Sequence, residues 1–181
     1  MDSFISNIKT KYNGYEWVPK STGTSSVTYL IKREKERKYV KISKAELITY
    51  QVEMLNYLKG KLPVPEVIEH IVHNGVGGIV MSEIVGTNFR DYLSCITPNR
   101  AVEIYADAYN KLKSCDITHG DFCPLNIIIG DNERIAGFVD FEKSFKGKSQ
   151  KDLHEAVFII TKHYGENYLR KFFKIVGEGL V

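Results

Sequence analysis

Cysteine is scarce in this chain. Its three residues, Cys95, Cys115 and Cys123, are an odd number with none of the spacings that hold zinc or frame a disulfide scaffold. A reducing cytoplasm with free thiols is the simplest setting. Long apolar runs are missing too: no stretch reaches the roughly 20 residues a membrane-spanning helix needs. The start, Met1-Asp2-Ser3-Phe4, lacks the charged-then-apolar pattern of an export leader. Both absences point to a cytoplasmic protein. No charge of one sign dominates, with 25 Lys and Arg against 22 Asp and Glu and a net +3. The one dense run, Lys32-Arg33-Glu34-Lys35-Glu36-Arg37-Lys38, mixes both signs, which excludes a nucleic-acid patch and fits a solvated hairpin turn. There is no internal repeat and no low-complexity linker.

What is present is ordinary globular material. The 181 residues are 43% hydrophobic and 26% charged, enough for one domain or two small lobes. Phe4, Ile5 and Ile8 mark a first helix that breaks at Asn13-Gly14. Trp17-Val18-Pro19 leads into a small-residue loop over 21–26. Val27–Ile31 and Tyr39–Ile42 are β-type runs flanking the charged turn. Over Ala45–Leu58 the spacing predicts a helix with Leu47, Gln51, Met54, Leu55 and Leu58 on one face; Gly60, Pro63 and Pro65 stop it. Val67–Val72 and Gly78–Ile84 surround Asn74-Gly75, a hairpin signal. Thr97-Pro98 starts a helix that turns Val102, Tyr105, Ala108, Tyr109 and Leu112 inward. Strands at Ile127–Ile129 and Ile135–Val139 follow, then helices over Leu153–His163 and Tyr168–Val176. A strand-rich first half and a helix-rich second half make an α+β fold with two lobes, one covering about residues 1–83 and the other about 86–181.

The chemistry concentrates in His119-Gly120-Asp121-Phe122-Cys123-Pro124-Leu125-Asn126 and in Val139-Asp140. Transfer of a phosphoryl group from ATP needs one carboxylate to take a hydroxyl proton, and an amide with a second carboxylate to hold Mg²⁺ on the phosphates. Asp121, Asn126 and Asp140 supply that set in that order; taken singly, each is also a common turn residue. His119 fits an orienting role. Asp152, at the start of a helix, reads as a structural cap. Cys123 is either an accessible thiol or a small half-buried side chain. Gly23 to Ser26 form a loop whose N–H groups and hydroxyls suit phosphates. Lys41, between Val40 and Ile42, points away from their face and into a cleft if those two face a core; the alternative is a lysine snorkelling from an edge strand. The main chain of Ser82, Glu83 and Ile84, at a strand end, suits an adenine edge.

With these residues the chain resembles the aminoglycoside phosphotransferases, the 3′-phosphotransferase branch in particular, which share the two-lobe protein-kinase fold. The likeness runs through Gly23 to Lys41, Leu58–Pro65, Val80–Glu83, Glu103–Ala106, His119–Asn126 and Gly137–Asp140. It implies Asp121 as catalytic base, Asn126 and Asp140 as Mg²⁺ ligands, Lys41 on the phosphates, and Ser25 or Ser26 as the loop hydroxyl. ATP and Mg²⁺ are the implied cofactors, and a small-molecule hydroxyl the implied acceptor.

Three departures shape the expectation. The family pairs its lysine with a helix Glu; here the ungapped position is Gln51, with Glu46 and Glu53 the nearest acids. The family places several tens of residues before its His-Gly-Asp, whereas Asp116-Ile117-Thr118 runs straight into His119. The family continues with acidic helices, whereas this sequence stops at Val181. Much of the usual acceptor pocket is thus expected to be missing, and a slightly basic chain suits a polycation poorly. The first reading is a small-molecule kinase. A minimal protein Ser/Thr kinase and a nucleotide-binding module without turnover are the alternatives.

Overall fold

The computed structural model describes residues 2–22 and 26–178; Gly23 and Ser25 lie outside the described residues. The chain forms two compact units, Met1–Tyr57 with Pro65–Glu83, and Leu58–Val64 with Ile84–Val181. Among the described residues no helix is long and apolar enough to cross a membrane.

The first unit contains α1 (Asp2–Lys11), β1 (Glu16–Thr22), β2 (Val27–Arg33), β3 (Glu36–Lys44), α2 (Ala45–Leu58, its last residue counted with the second unit), β4 (Val67–His73) and β5 (Val76–Ser82). The strands make one antiparallel sheet in the order β1-β2-β3-β5-β4. Most of the charged run extends the two strands, and only residues 34–35 make the turn. Pro19 sits on the edge strand beside a register shift, where a missing N–H costs no ladder bond. Phe4 and Ile8 of α1 pack with Ile31, Val40, Ile42 and Val80 in a buried cluster.

Gly77 and Gly78 are neighbours on β5, so any side chains there would leave opposite faces. A Cβ on Gly77 would lie 2.8 Å from Ile48 Cβ, and one on Gly78 would lie 3.0 Å from both Ile8 and Phe4. Thus α1 and α2 press on opposite faces of the same strand, and two bare positions let both come close. Leu47, expected on the inner face of α2, is only half-buried; Ile48, Gln51, Val52, Met54, Leu55 and Leu58 fill that face.

The second unit contains β6 (Thr87–Asn88), α3 (Phe89–Tyr92), α4 (Pro98–Ser114), β7 (Ile117–Thr118), β8 (Ile127–Ile129), β9 (Ile135–Phe138), β10 (Phe145–Lys146), α5 (Lys151–Tyr164) and α6 (Glu166–Val176). Thr97 Oγ1 accepts the Arg100 N–H at 3.3 Å, and Pro98 opens α4 as its sequence predicts. Strand β8 lies between β6 and β9, while β7 pairs with β10. Helices α4, α5 and α6 pack together on an aromatic centre of Tyr105, Tyr109, Phe122 and Phe172. Only Cys115 and Asp116 separate α4 from β7, and His119 follows at once, so the short connection read from the sequence is real.

Candidate active site

The segment His119–Asn126 has almost no regular structure, so its shape comes from side chains bonding to its main chain. Asp152, in the first turn of α5 and 3% exposed, accepts the N–H of His119 at 2.6 Å through Oδ2 and that of Gly120 at 2.9 Å through Oδ1. It is therefore not the helix cap its position suggests; it braces a loop 32 residues upstream. Glu155, one turn further along α5, accepts the Phe122 N–H at 2.7 Å. Tyr105 of α4 donates its hydroxyl to the Phe122 carbonyl, and its ring stacks 4.6 Å from that of Phe122.

Gly120 is the position where only glycine fits. Its φ is +77°, and a Cβ there would lie 2.1 Å from the Lys143 carbonyl oxygen. That close approach brings the strand-end segment 140–143 against the loop. Lys143 Nζ then reaches Asp121 Oδ2 at 3.2 Å, and this hydrogen bond raises the Lys143 ammonium above its ordinary pKa. The Asp121 carboxylate stays partly exposed.

Asn126 closes the loop. Its Nδ2 donates to the Asp121 carbonyl at 2.9 Å, which points its Oδ1 elsewhere, and its own carbonyl accepts the Val139 N–H at 3.0 Å. Since Asp140 follows Val139, that bond ties the main chain of Asn126 to the residue before Asp140. Asp140 takes the left-handed conformation, φ 65° and ψ 61°, which a non-glycine residue holds only at some cost in strain. His119 is fully buried; its Nε2 lies 3.0 Å from the Val139 carbonyl and its ring 4.7 Å from Phe141. A carbonyl can only accept, so Nε2 carries the proton and donates. Nδ1 meets no partner among the described residues. Burial holds the imidazole below its usual pKa, so it orients the loop as a neutral ring. Cys123 is half-buried and burial pushes its thiol up, which leaves it the inert side chain of the two options.

In the sheet unit, Lys41 lies in β3, the central strand, and is 6% exposed, which excludes an edge-strand snorkel. Val40 and Ile42 face the α1 cluster, so Lys41 points to the α2 side. Gln51 is buried on α2, yet its Nε2 faces Met81 Sδ at 4.0 Å and its Oε1 meets no donor among the described residues, so it does not hold Lys41. Glu46 and Glu53 lie on the exposed side of the helix. Ser26 begins the approach to β2, half-buried.

At the strand end, Ser82 exchanges two hydrogen bonds with Glu66. Its N–H donates to the Glu66 carbonyl at 3.0 Å and its hydroxyl accepts the Glu66 N–H at 2.9 Å. That takes the Ser82 N–H away from any adenine edge. Glu83 is held by Arg37 at 2.6 Å, and Ile84 packs on Gly137, in the strand that leads to Asp140. The sequence reading named Tyr105 only as an inward-facing helix residue and did not single out Glu155 or Lys143. Only Glu155 carried a usable signal, an acid three residues after Asp152 on an amphipathic helix.

Known proteins resemble this chain in sequence and in fold. The sequence model of the Phosphotransferase enzyme family matches residues 116–178, the stretch with every loop residue above. An aminoglycoside 3′-phosphotransferase of Enterococcus faecalis is 24% identical, the match covering 94% of this chain and 90% of that protein. One of Staphylococcus aureus is 32% identical over 124 residues, 65% of this chain and 46% of its own length. In the first alignment, 94% of 181 residues spreads over 238 positions, so tens of positions in that relative have no counterpart here. Among solved structures, a type VIII aminoglycoside-3′-phosphotransferase superposes with a TM-score of 0.74 at 16% identity, covering 100% of this chain and 93% of the other. An aminoglycoside phosphotransferase of Streptomyces rimosus gives 0.72 at 15% identity, covering 99% and 93%. Those two likenesses establish a kinase-like fold. Taken with the sequence matches, they make the chain similar to the aminoglycoside phosphotransferases and support a kinase-like phosphotransferase acting on hydroxyl groups.

Proposed function

We propose that this phosphotransferase moves the γ-phosphoryl group of Mg·ATP to a hydroxyl of a small-molecule acceptor. The observation that carries the reading is the placement of Asn126: its amide nitrogen is tied to the Asp121 main chain and its carbonyl to the Val139 N–H, next to Asp140. An amide oxygen and a carboxylate are hard oxygen donors, which suits Mg²⁺. Among the described residues no three His, Cys, Asp or Glu side chains converge on a point. A magnesium ion that borrows most of its ligands from water and phosphates needs no such cage. When bound, the ion neutralises charge on the phosphates.

The chain's own residues do the rest. Asp121 orients the acceptor hydroxyl and takes its proton as the oxygen attacks phosphorus. Lys143, 3.2 Å from Asp121, balances the carboxylate in the resting site. Lys41 is assigned to the α- and β-phosphates, and Gly23, Ser25 and Ser26 to the phosphate loop. With the Ser82 N–H engaged, the main chain of Glu83 and Ile84 is assigned to the adenine edge.

Turnover is expected to need Mg²⁺, and to fall by about two to four orders of magnitude in Asp121→Ala and by a comparable factor in Asp140→Ala. Unchanged turnover in either variant removes the mechanism. Wild-type protein is expected to melt higher in Mg·ATP by mass action. No shift would leave a module without turnover. Radiolabelled ATP offered to a panel of aminoglycosides, other alcohols and a whole-cell lysate identifies the acceptor. Label on protein bands alone would replace the small-molecule acceptor with a polypeptide.

A further inference from the structure

Asp152 and Glu155 stand three residues apart on α5, so their side chains leave one face of the helix. Asp152 takes the N–H groups of His119 and Gly120, and Glu155 Oε2 takes that of Phe122. The residue between them is Asp121. One helix therefore grips the main chain on both sides of the catalytic carboxylate. The neighbouring carbonyls are held as well: that of Asp121 by Asn126 Nδ2 and the Cys123 N–H, that of Phe122 by the Tyr105 hydroxyl.

Glu155 is costly to keep there. It is half-buried, and it faces Asp152 on its own helix and Asp121 on the loop. Lys151 on α5 and Lys143 beyond β9 offset part of that charge, and Tyr105 of α4 and Cys123 complete its surroundings. Burial first, and then the two aspartates, raise its pKa. A carboxylate held against desolvation and like charge needs a compensating gain, and the one hydrogen bond it makes among the described residues is to Phe122.

We propose that Glu155 is a positioning residue for Asp121, which fixes the peptide after it by accepting the Phe122 N–H, and that it acts as a hydrogen-bond acceptor rather than as a charge. The inference rests on Asp121 as the base, but its geometric half is separable.

The test uses the full chain, ¹⁵N-labelled, as wild type, Glu155→Gln and Glu155→Ala. Amide exchange and the pH titration of the Phe122 resonance are read beside steady-state hydrolysis of Mg·ATP with water as acceptor. In wild type the Phe122 resonance is expected to titrate with a midpoint above the ordinary glutamate range; in Glu155→Gln it is expected to stay flat. Glu155→Ala is expected to exchange the Phe122 amide roughly tenfold faster and to lower kcat about tenfold, with KM for ATP within about twofold. Glu155→Gln keeps an acceptor oxygen and is expected within about threefold of wild type in Phe122 exchange, kcat and KM for ATP.

Wild-type exchange and kcat in Glu155→Ala would overturn the proposal. So would Glu155→Gln as damaged as Glu155→Ala, since charge would then be what matters. If Glu155→Ala does not fold, protection of the Phe122 amide in Glu155→Gln decides: kept, it supports the brace, and lost, it refutes it. If wild type hydrolyses no Mg·ATP, the phosphotransfer reading fails by itself and the exchange data still decide the brace.

Discussion

The two units hold their candidate functional side chains by different means. Lys41 is set by ladder register: β3 sits mid-sheet with β2 and β5 bonded on either side, and the alternation of a strand turns the lysine away from Val40 and Ile42. Asp121, Asn126 and Asp140 are set by single bonds from Asp152, Glu155, Tyr105, His119 and Asn126 onto irregular main chain. The first arrangement is redundant, because no one side chain determines the register. The second has few redundant parts. Damage in the sheet unit should therefore appear as lost stability with chemistry intact in the folded fraction, and damage around the loop as lost chemistry first.

The largest contrast pairs Asp152→Ala with Ile42→Ala. Removing Asp152 leaves two buried N–H donors without acceptors, at about 1.5–3 kcal/mol for each charge-assisted bond. Turnover by the folded fraction is expected to fall at least a hundredfold, as expected when a reacting group shifts by about 1 Å. Ile42→Ala is expected to lose about 2–5 kcal/mol through its cavity while the folded fraction keeps near wild-type kcat. Urea unfolding and turnover, each at matched folded fraction, check both variants. Equal loss of kcat per folded molecule in the two would erase the distinction.

Gly120→Ala is a smaller change of the same kind. A methyl group at φ +77° carries a strain of about 1 kcal/mol, and at 2.1 Å from the Lys143 carbonyl the two segments must separate. The 3.2 Å contact of Lys143 with Asp121 stretches with them. We expect a Tm lower by a few degrees and kcat reduced about tenfold to a hundredfold. The Gly75→Ala variant is the control, since its φ of +74° carries similar strain with nothing within 4 Å of the added Cβ. Similar losses of kcat in both would show that strain alone is at work.

What was readable from sequence follows the same divide. Local rules located α2 to the residue, the turn at Asn74-Gly75 and the start of α4, because caps, breakers and turn dipeptides act within a few positions. They also singled out Asp121, Asn126 and Asp140 as candidates, which the main-chain bonds of the loop and strand end link together. They misread Asp152, because an acid in the first turn of a helix looks like a dipole-favoured cap while its true partners lie 32 and 33 residues away. They left open whether Gln51, Glu46 or Glu53 partners Lys41, because facing one side of a helix does not fix where a side chain reaches; the structure turns the Gln51 amide to Met81. The bond between Ser82 and Glu66 was hidden for the same reason, since both ends are main chain or hydroxyl and carry no sequence signature.

The smallest effect expected is on stability against pH, where two of the perturbed groups around the loop, His119 and Glu155, oppose each other. Burial lowers the His119 pKa below its ordinary 6.5, so the unfolded chain binds the extra proton more readily. Its contribution is complete above pH 6.5 and is lost as pH falls through the lowered native value. Structurally, a proton on Nδ1 would place a second donor where no acceptor is found among the described residues. Glu155 runs the other way. Its native pKa is raised above 4.5, so its contribution is complete below that value and fades as pH rises through the native one. His119→Asn keeps a side-chain donor for the Val139 carbonyl and cannot titrate. Relative to it, wild type should lose stability on acidification from pH 7, in urea midpoints taken at half-unit steps. Glu155→Gln should gain on wild type as pH rises from 4.5. Parallel curves for wild type and His119→Asn would mean that the loop tolerates a charged ring, and that the buried imidazole does not tie Val139 to the His119–Asn126 segment as its geometry indicates.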